Sequence, residues 1–314
     1  MQTLHGYDRI DAGHRGAVVA LGNFDGVHLG HRAVLDVARN LAGAAGAKLG
    51  VALFEPHPRR YFAPEARAFR LMSPARRDAL LASLGVDQLH VLEFDAVMAQ
   101  MTPEGFVQTV LADGLGINGI VTGADFRFGA GRTGSTVELA QLCDARGIQS
   151  AFAELEGNGS DKVSSTRIRQ AIHDGNMQAA AELLGVRWTV DGIVVQGNQR
   201  GRTIGFPTAN IDLGDYVRPA YGVYAVRVGI DGQPADRPAV ANIGTRPTVD
   251  GVTELLEVHL LDFDGDLYGR ELAVEFHDHL RAERRFDGLD ALKAQIALDA
   301  TRARDVLTRV AGPA

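Results

Sequence analysis

At Arg187 the chain changes its period, and that change constrains the fold more than any other feature of the sequence. Before it, apolar runs over residues 17–21, 49–54, 88–92 and 119–122 alternate with segments of helical spacing. Such alternation calls for right-handed βαβ units and a parallel sheet, whose ligands bind beyond the carboxyl ends of the strands. After Arg187, "WTVDGIVVQG", "GVYAVRVGIDGQPADRPAVANIG" and "LLEVHLLDFDGDLYGRELAVEFHDHL" read as short strands with Asp-Gly turns, the pattern of a small antiparallel barrel or sandwich. "LDALKAQIALDATRARDVLTRV" returns to helical spacing and is expected to pack across that barrel. The expected organisation is an α/β domain over residues 1–185 followed by a β domain over 186–314, each long enough to bury a core.

The first apolar run leads into "GNFDGVHLGH", so His28 and His31 stand three residues apart in a strand-to-helix turn. Ala33, Val34, Val37, Ala38 and Leu41 then recur at helical spacing. Gly22, Gly26 and Gly30 let the turn close tightly, and the helix behind it points free N–H groups and positive dipole at the same spot. That is a phosphate pocket. Imidazole donors that follow charge between phosphate oxygens suit nucleotidyl transfer. Two other readings stay open: a loop packed on two histidines, or a metal pair. The metal is the poorer fit, because HExxH is absent, no third ligand sits at a recognisable spacing, and Cys143 is the single cysteine.

Three further stretches carry candidates in this domain. "FEPHPRRYF" sets His57 between Pro56 and Pro58 at a strand's end, where the loop either walls a pocket or turns a corner. "VTGADFRFGAGRTGS" holds Gly129, Gly131 and Gly134 in GxGxxG spacing, but the polar and aromatic "ADFRF" separates them from the strand that a dinucleotide fingerprint requires. A loop closing on a ligand fits better. Phe126 and Phe128 either face an aromatic ring system or fill the core. In "DKVSSTRIRQAI", Ser164 or Ser165 caps a helix whose first turns hold Arg167 and Arg169. Cations there oppose the helix dipole unless an anion sits beside them; a serine cap alone is the plainer reading.

In the second domain, "GNQRGRTIGFPTANI" lacks the P-loop pattern, so a phosphate site here is of another kind. Thr208 and Asn210 alternate along an extended segment and share a face, beside a glycine-rich loop with Arg200 and Arg202. Two small oxygen ligands so placed can hold Mg²⁺ with ATP phosphates. On "LLEVHLLDF", Glu257 shares a face with Leu255, His259 and Leu261, which makes it either a general base or an edge-strand carboxylate in water.

The net charge of −7 argues against a polyanionic partner such as nucleic acid, while small phosphorylated ligands stay open. With one cysteine a disulfide framework is excluded. "MQTLHGYDRIDAGHRG" is too polar and acidic for a secretory signal, and no stretch has the apolar length of a membrane span. A cytoplasmic protein is expected.

Together these motifs resemble the prokaryotic bifunctional riboflavin kinases/FMN adenylyltransferases, also called FAD synthetases. "GNFDGVHLGH", "FEPHP", "GADFRFGAGRTG" and "SSTRIR" are similar to the adenylyltransferase module; "GRTIGFPTAN", "GVYAV", "ANIGTRPT" and "LEVHLLDFDGDLYG" are similar to the kinase barrel. The resemblance implies a Rossmann-like HxGH nucleotidyltransferase domain followed by a β-barrel riboflavin kinase with a C-terminal helix. It implies ATP contacts from His28, His31, Gly22, Asn23, Phe24, Asp25, Ser164, Thr166, Arg167 and Arg202. Pro56, His57, Pro58, Asp125 and Phe128 would meet the flavin, Thr208 and Asn210 would hold Mg²⁺, and Glu257 would be the kinase base. The implied reactions take riboflavin and ATP to FMN and ADP, then FMN and ATP to FAD and pyrophosphate, in a monomer or an oligomer. The chemistries differ in kind: an alcohol attacking the γ-phosphorus must lose a proton, whereas a phosphate attacking the α-phosphorus is already anionic. Two rivals are another small-molecule adenylyltransferase fused to a ligand-binding barrel, and a non-catalytic flavin sensor.

Overall fold

A computed structural model describes residues 1–8, 10–154, 163–196, 205–248 and 251–309, and the chain divides into two units. One is Met1–Ala66 with Pro74–Ser164; the other is Arg67–Ser73 with Ser165–Ala314.

The first unit is built on six parallel strands: β1 (Gln2–His5), β2 (Val18–Leu21), β3 (Leu49–Glu55), β4 (Gln88–Glu93), β5 (Gly119–Gly123) and β6 (Gln149–Ala153). Their order is β1-β4-β3-β2-β5-β6. β2 is buried along its whole length, as a strand covered on both faces must be, which is why it reads as an unbroken apolar run. The edge strands β1 and β6 were not expected from the sequence; they are largely exposed or half-buried and carry no such run. Because β2 lies between β3 and β5, the strand order reverses there, and a crevice opens at the carboxyl ends of β2 and β5.

Helix α1 (Leu29–Ala45) follows β2 and buries Val34, Leu35, Ala38 and Ala42. Next come α2 (Pro58–Phe62), α3 (Pro74–Ser83), α4 (Ala96–Gln100) and α5 (Pro103–Gly105), which runs into a π-helical segment, Phe106–Leu115, before α6 (Thr136–Asp144). Phe106, Val107, Val110, Leu111 and Leu115 form one core with Val19, Leu21, Ile120 and Leu139. An imidazole is sealed inside the sheet: His90 on β4, level with Leu4 of β1 and Ala52 of β3, is fully buried. Neither of its ring nitrogens has a hydrogen-bond partner among the described residues. Burial, with the neighbouring charge of His14, pulls its pKa down to about 4.

The second unit holds β7 (Thr189–Ile193), β8 (Ala209–Asp212), β9 (Gly222–Ile230), β10 (Arg237–Thr248), β11 (Gly251–Leu260) and β12 (Glu271–Ala282). They are antiparallel in the order β7-β12-β9-β10-β11-β8. The Val195 N–H donates to the Asn210 carbonyl at 2.9 Å, which brings the two ends together into a nearly closed barrel, as expected. The last helix, α9 (Leu289–Arg309), sets Ala300, Ala303 and Leu307 on Val223, Ala225, Val240 and Leu280, and Arg281 Nη2 pairs with Asp299 at 2.7 Å.

The compact units divide at Ser164, so the two helices before the change of period pack with the barrel. Helices α7 (Ser165–His173) and α8 (Met177–Leu184) bury Ile168, Ile172, Met177, Ala180 and Leu184 in the same core as Trp188, Tyr224 and Phe276. Arg67–Ser73 joins that core through Leu71, whose carbonyl accepts the Trp188 indole N–H at 3.0 Å. Helical periodicity shows that a face is apolar; it does not show which core receives it.

Candidate active sites

The turn between β2 and α1 is strained. Phe24 and Val27 take φ of +51° and +42°, costly for any side chain and most for a β-branched one. The strain is held by burial, Phe24 being 1% and Val27 0% exposed, and by Arg32 Nε, which donates to the Val27 carbonyl at 3.2 Å. The turn delivers His28 as the N-cap of α1, with its Nδ1 accepting the His31 N–H at 3.3 Å. A nitrogen that accepts this bond carries no proton, so a neutral ring carries its proton on Nε2. The His28 and His31 rings stack at 3.7 Å with 17° between planes, and Phe24 backs His31 at 4.9 Å.

His28, His31, Phe24, Gly22 and Gly30 line a cavity of about 180 Å³ with Gly123, Asp125, Phe126 and Ser164. It lies at the end of β2 and β5, on the N-terminus of α1, where free N–H groups favour an anion. Asp25, within the turn, is buried, and Asn23 lines a neighbouring cavity. Thr166 and Arg167 lie in the first turn of α7, in the second unit.

The neighbouring cavity shares Gly22, Asp125 and Phe126 with the first and encloses about 730 Å³, within the range of small-molecule sites. Its walls are aromatic. Phe54 meets Phe94 edge-on at 5.6 Å, Phe126 and Phe128 stack at 5.9 Å, and Phe106 closes on Phe128 at 5.8 Å. His57 and Pro58 line it, and His57 also caps α2 by accepting the Arg59 N–H at 3.0 Å. Pro56 is exposed and is not part of the lining. Phe54, Phe62, Phe94, Met98, Met101 and Phe106 were not found from the sequence; they come one or two per element, and the nearest signal was their place just past strand ends.

The GxGxxG spacing has a packing cause. A Cβ on Gly129, whose φ is +73°, would lie 2.8 Å from Pro103, and one on Gly134 would lie 2.6 Å from the Phe128 ring. These glycines shape a hairpin that presents Phe128; they do not form a dinucleotide turn.

In the barrel, the register sets Asn210 of β8, Glu257 of β11 and Asn242 of β10 side by side on one face. Glu257 therefore has amide neighbours on both sides across the sheet, besides Leu255 and His259 along its own strand. Asn210 is 5% exposed, and its Oδ1 has no hydrogen-bond partner among the described residues. His259 Nδ1 lies 2.7 Å from the Pro207 carbonyl and so ties β11 to the segment carrying Thr208. Thr208 lines a cavity of about 400 Å³ with Val194, Leu260, Phe263 and Tyr268. Arg202 lies outside the described residues.

A helix-terminus anion site at the switch point of a parallel sheet, opening on an aromatic cleft, is the arrangement of a nucleotide-handling α/β enzyme. Two family models match the chain: FAD synthetase over residues 10–167 and riboflavin kinase over residues 184–307. Bifunctional riboflavin kinase/FMN adenylyltransferases from Escherichia coli (strain K12) and Pseudomonas fluorescens are each 42% identical, with 97% of both chains covered. That of Bacillus subtilis (strain 168) is 35% identical over 90% of each chain. The crystal structure of a macrolide-efflux protein from Streptococcus pneumoniae superposes with a TM-score of 0.85 at 34% identity, covering 97% of this chain and 99% of its own. Among the described residues, no helix is long and apolar enough to cross a membrane. The chain belongs to the bifunctional riboflavin kinase/FMN adenylyltransferase family.

Proposed function

We propose that the two reactions of this family are divided between the two units. The first converts FMN and ATP to FAD and pyrophosphate; the second converts riboflavin and ATP to FMN and ADP. The observation that carries the reading is the junction of the histidine cavity with the aromatic cleft, which share Gly22, Asp125 and Phe126. ATP phosphates at the end of α1 and a flavin ring between Phe54, Phe106 and Phe128 then bring the FMN phosphate to the α-phosphorus. One phosphate oxygen attacks, and pyrophosphate leaves. His28 Nε2–H and the α1 N–H groups stabilise the charge that moves onto the bridging and leaving oxygens. No base is needed, because the nucleophile is an anion.

In the barrel, Glu257 takes the proton of the riboflavin 5′-hydroxyl as its oxygen attacks the γ-phosphorus. Thr208 and Asn210 fit a hard cation held with ATP phosphates: both offer neutral oxygens, and the Asn210 oxygen is buried without a partner among the described residues. No group of three or more His, Cys, Asp or Glu among the described residues stands ready to hold a metal by itself, so in this reading substrate phosphates supply part of the coordination. Mg²⁺, when bound, offsets the charge of the transferred phosphoryl group. The reaction modules follow the matched segments, residues 10–167 and 184–307, and the enzyme works in the cytoplasm without a nucleic-acid partner, in keeping with 39 acidic against 32 basic residues. Incubation of the purified chain with riboflavin, ATP and Mg²⁺ and separation of the flavins by chromatography test the reading. FMN followed by FAD is expected; absence of either overturns it.

A further inference from the structure

Many arginines among the described residues are tied into the fold. Arg15 donates to the Gly114 carbonyl, Arg77 to Glu55, Arg218 to Glu254 and Arg304 to Asp262. Arg127 and Arg132 differ. Among the described residues neither guanidinium has a hydrogen bond or ion pair, and both line the aromatic cleft. Their backbone is fixed: Phe128 and Gly134 exchange hydrogen bonds of 3.2 and 2.9 Å across the hairpin, and the Ala130 N–H donates to the Met101 carbonyl at 2.8 Å. Arg132 holds a φ of +59°, a left-handed conformation that a non-glycine residue keeps only when its surroundings impose it.

The cleft wall is largely apolar and aromatic, which suits a flavin ring, and the guanidiniums of Arg127 and Arg132, both exposed to solvent, are free to meet an anion there. FMN differs from riboflavin by a phosphate monoester carrying about −1.5 to −2 charges at neutral pH. Guanidinium groups match that anion in charge and in planar, paired donors. Asp125 is the one carboxylate on the lining among the described residues. Arg127 sits between Phe126, which lines both cavities, and Phe128, so it stands in the chain where ring binding passes into phosphate chemistry.

We propose that Arg127 and Arg132 are specificity-determining residues of the adenylyl-transfer site, selecting the phosphorylated flavin over riboflavin by holding two oxygens of the FMN phosphate. The third terminal oxygen stays free to attack. The inference rests on the assignment of the aromatic cleft to the flavin.

The test is steady-state FAD formation by the full chain carrying Arg127→Gln and Arg132→Gln. Lumiflavin serves as a competitive inhibitor, because it has the ring but neither a phosphate nor a hydroxyl that the kinase unit can phosphorylate. The KM for FMN is expected to rise about tenfold at low salt, with the KM for ATP and the Ki of lumiflavin unchanged. Added salt is expected to raise the KM of the parent enzyme and to lose most of that effect on the variant. An unchanged KM for FMN overturns the proposal. So does a lumiflavin Ki that rises in step, which would make the arginines part of the ring site, or a rise in the ATP KM instead, which would assign them to the pyrophosphate. If the double variant melts below the assay temperature, Arg132→Gln alone is judged on the same readouts with an effect of about threefold. Phe128→Ala separates the two levels: it is expected to weaken lumiflavin, and failure to do so removes the cleft assignment and this inference with it.

Discussion

Replacing Asn210 with leucine should make the barrel unit more stable and the kinase worse. Asn210 is 5% exposed and its Oδ1 lacks a partner among the described residues, and such a buried group costs roughly 1–3 kcal/mol. Leucine keeps the branched outline and removes the cost, although its methyl groups are bulkier than the amide and offset part of the gain, so a net gain of up to about 1 kcal/mol is expected without nucleotide, or a shift of up to about 2–4 °C for a unit of this size. The order reverses with substrate. A nucleotide–metal complex at 100 times its Kd stabilises the parent unit by about 2.7 kcal/mol, and Asn210→Leu forfeits most of that. Trp188 is the single tryptophan and lies in the barrel core, so its fluorescence reports this unit's melting in the intact chain. Melts with and without ATP and Mg²⁺, beside riboflavin phosphorylation rates, give the answer. A variant that melts lower than the parent without nucleotide, or one that keeps full kinase turnover, would show that the amide is a structural element and refute the reasoning.

Two further outcomes are expected. His90 is held neutral in the fold with its pKa near 4, against about 6.5 in the unfolded chain, so unfolding takes up a proton between those values. Stability should be complete above pH 6.5 and fall by about 3 kcal/mol as pH drops towards 4, and His90→Leu should flatten that slope in thermal melts; an unaltered slope would place the acid sensitivity elsewhere. A fragment starting at Gly185 should be poorly folded, because it lacks Ile168, Ile172, Met177, Ala180 and Leu184 from the barrel core, whereas one starting at Ser165 keeps them and should phosphorylate riboflavin. Equal solubility and circular dichroism of the two fragments would count against α7 and α8 as part of that unit.

The period change at Arg187 disclosed both fold classes because burial imposes it. Strands covered on both faces need unbroken apolar runs, as in β2, and a barrel needs short strands with turns. β1 and β6 escaped notice since an edge strand has little to bury. The placement of α7 and α8 was illegible for a different reason: an amphipathic helix states its apolar face and not its partner. Within the sites, His28 and His31 were visible because turn, glycines and imidazoles are adjacent in sequence. The aromatic cleft was not, since Phe54, Phe94 and Phe106 meet only after three separate elements fold. Asn242 joins Glu257 by register across strands, which no local pattern encodes. The GxGxxG spacing shows the converse, a familiar pattern produced by the closeness of Phe128 and Pro103.

The central claim is that two chemistries reside in two units, one resting on His28 and the other on Glu257. Its most direct test is the pair of half-reactions, riboflavin to FMN and FMN to FAD, measured separately on His28→Ala and Glu257→Gln with a melting curve for each. His28→Ala is expected to slow FAD formation by about 10² to 10³ while FMN formation stays near normal. Glu257→Gln is expected to do the opposite, slowing FMN formation by about 10² to 10⁴ with adenylylation intact. Equal loss of both activities in either folded variant, or near-normal kinase turnover in Glu257→Gln, would contradict the account.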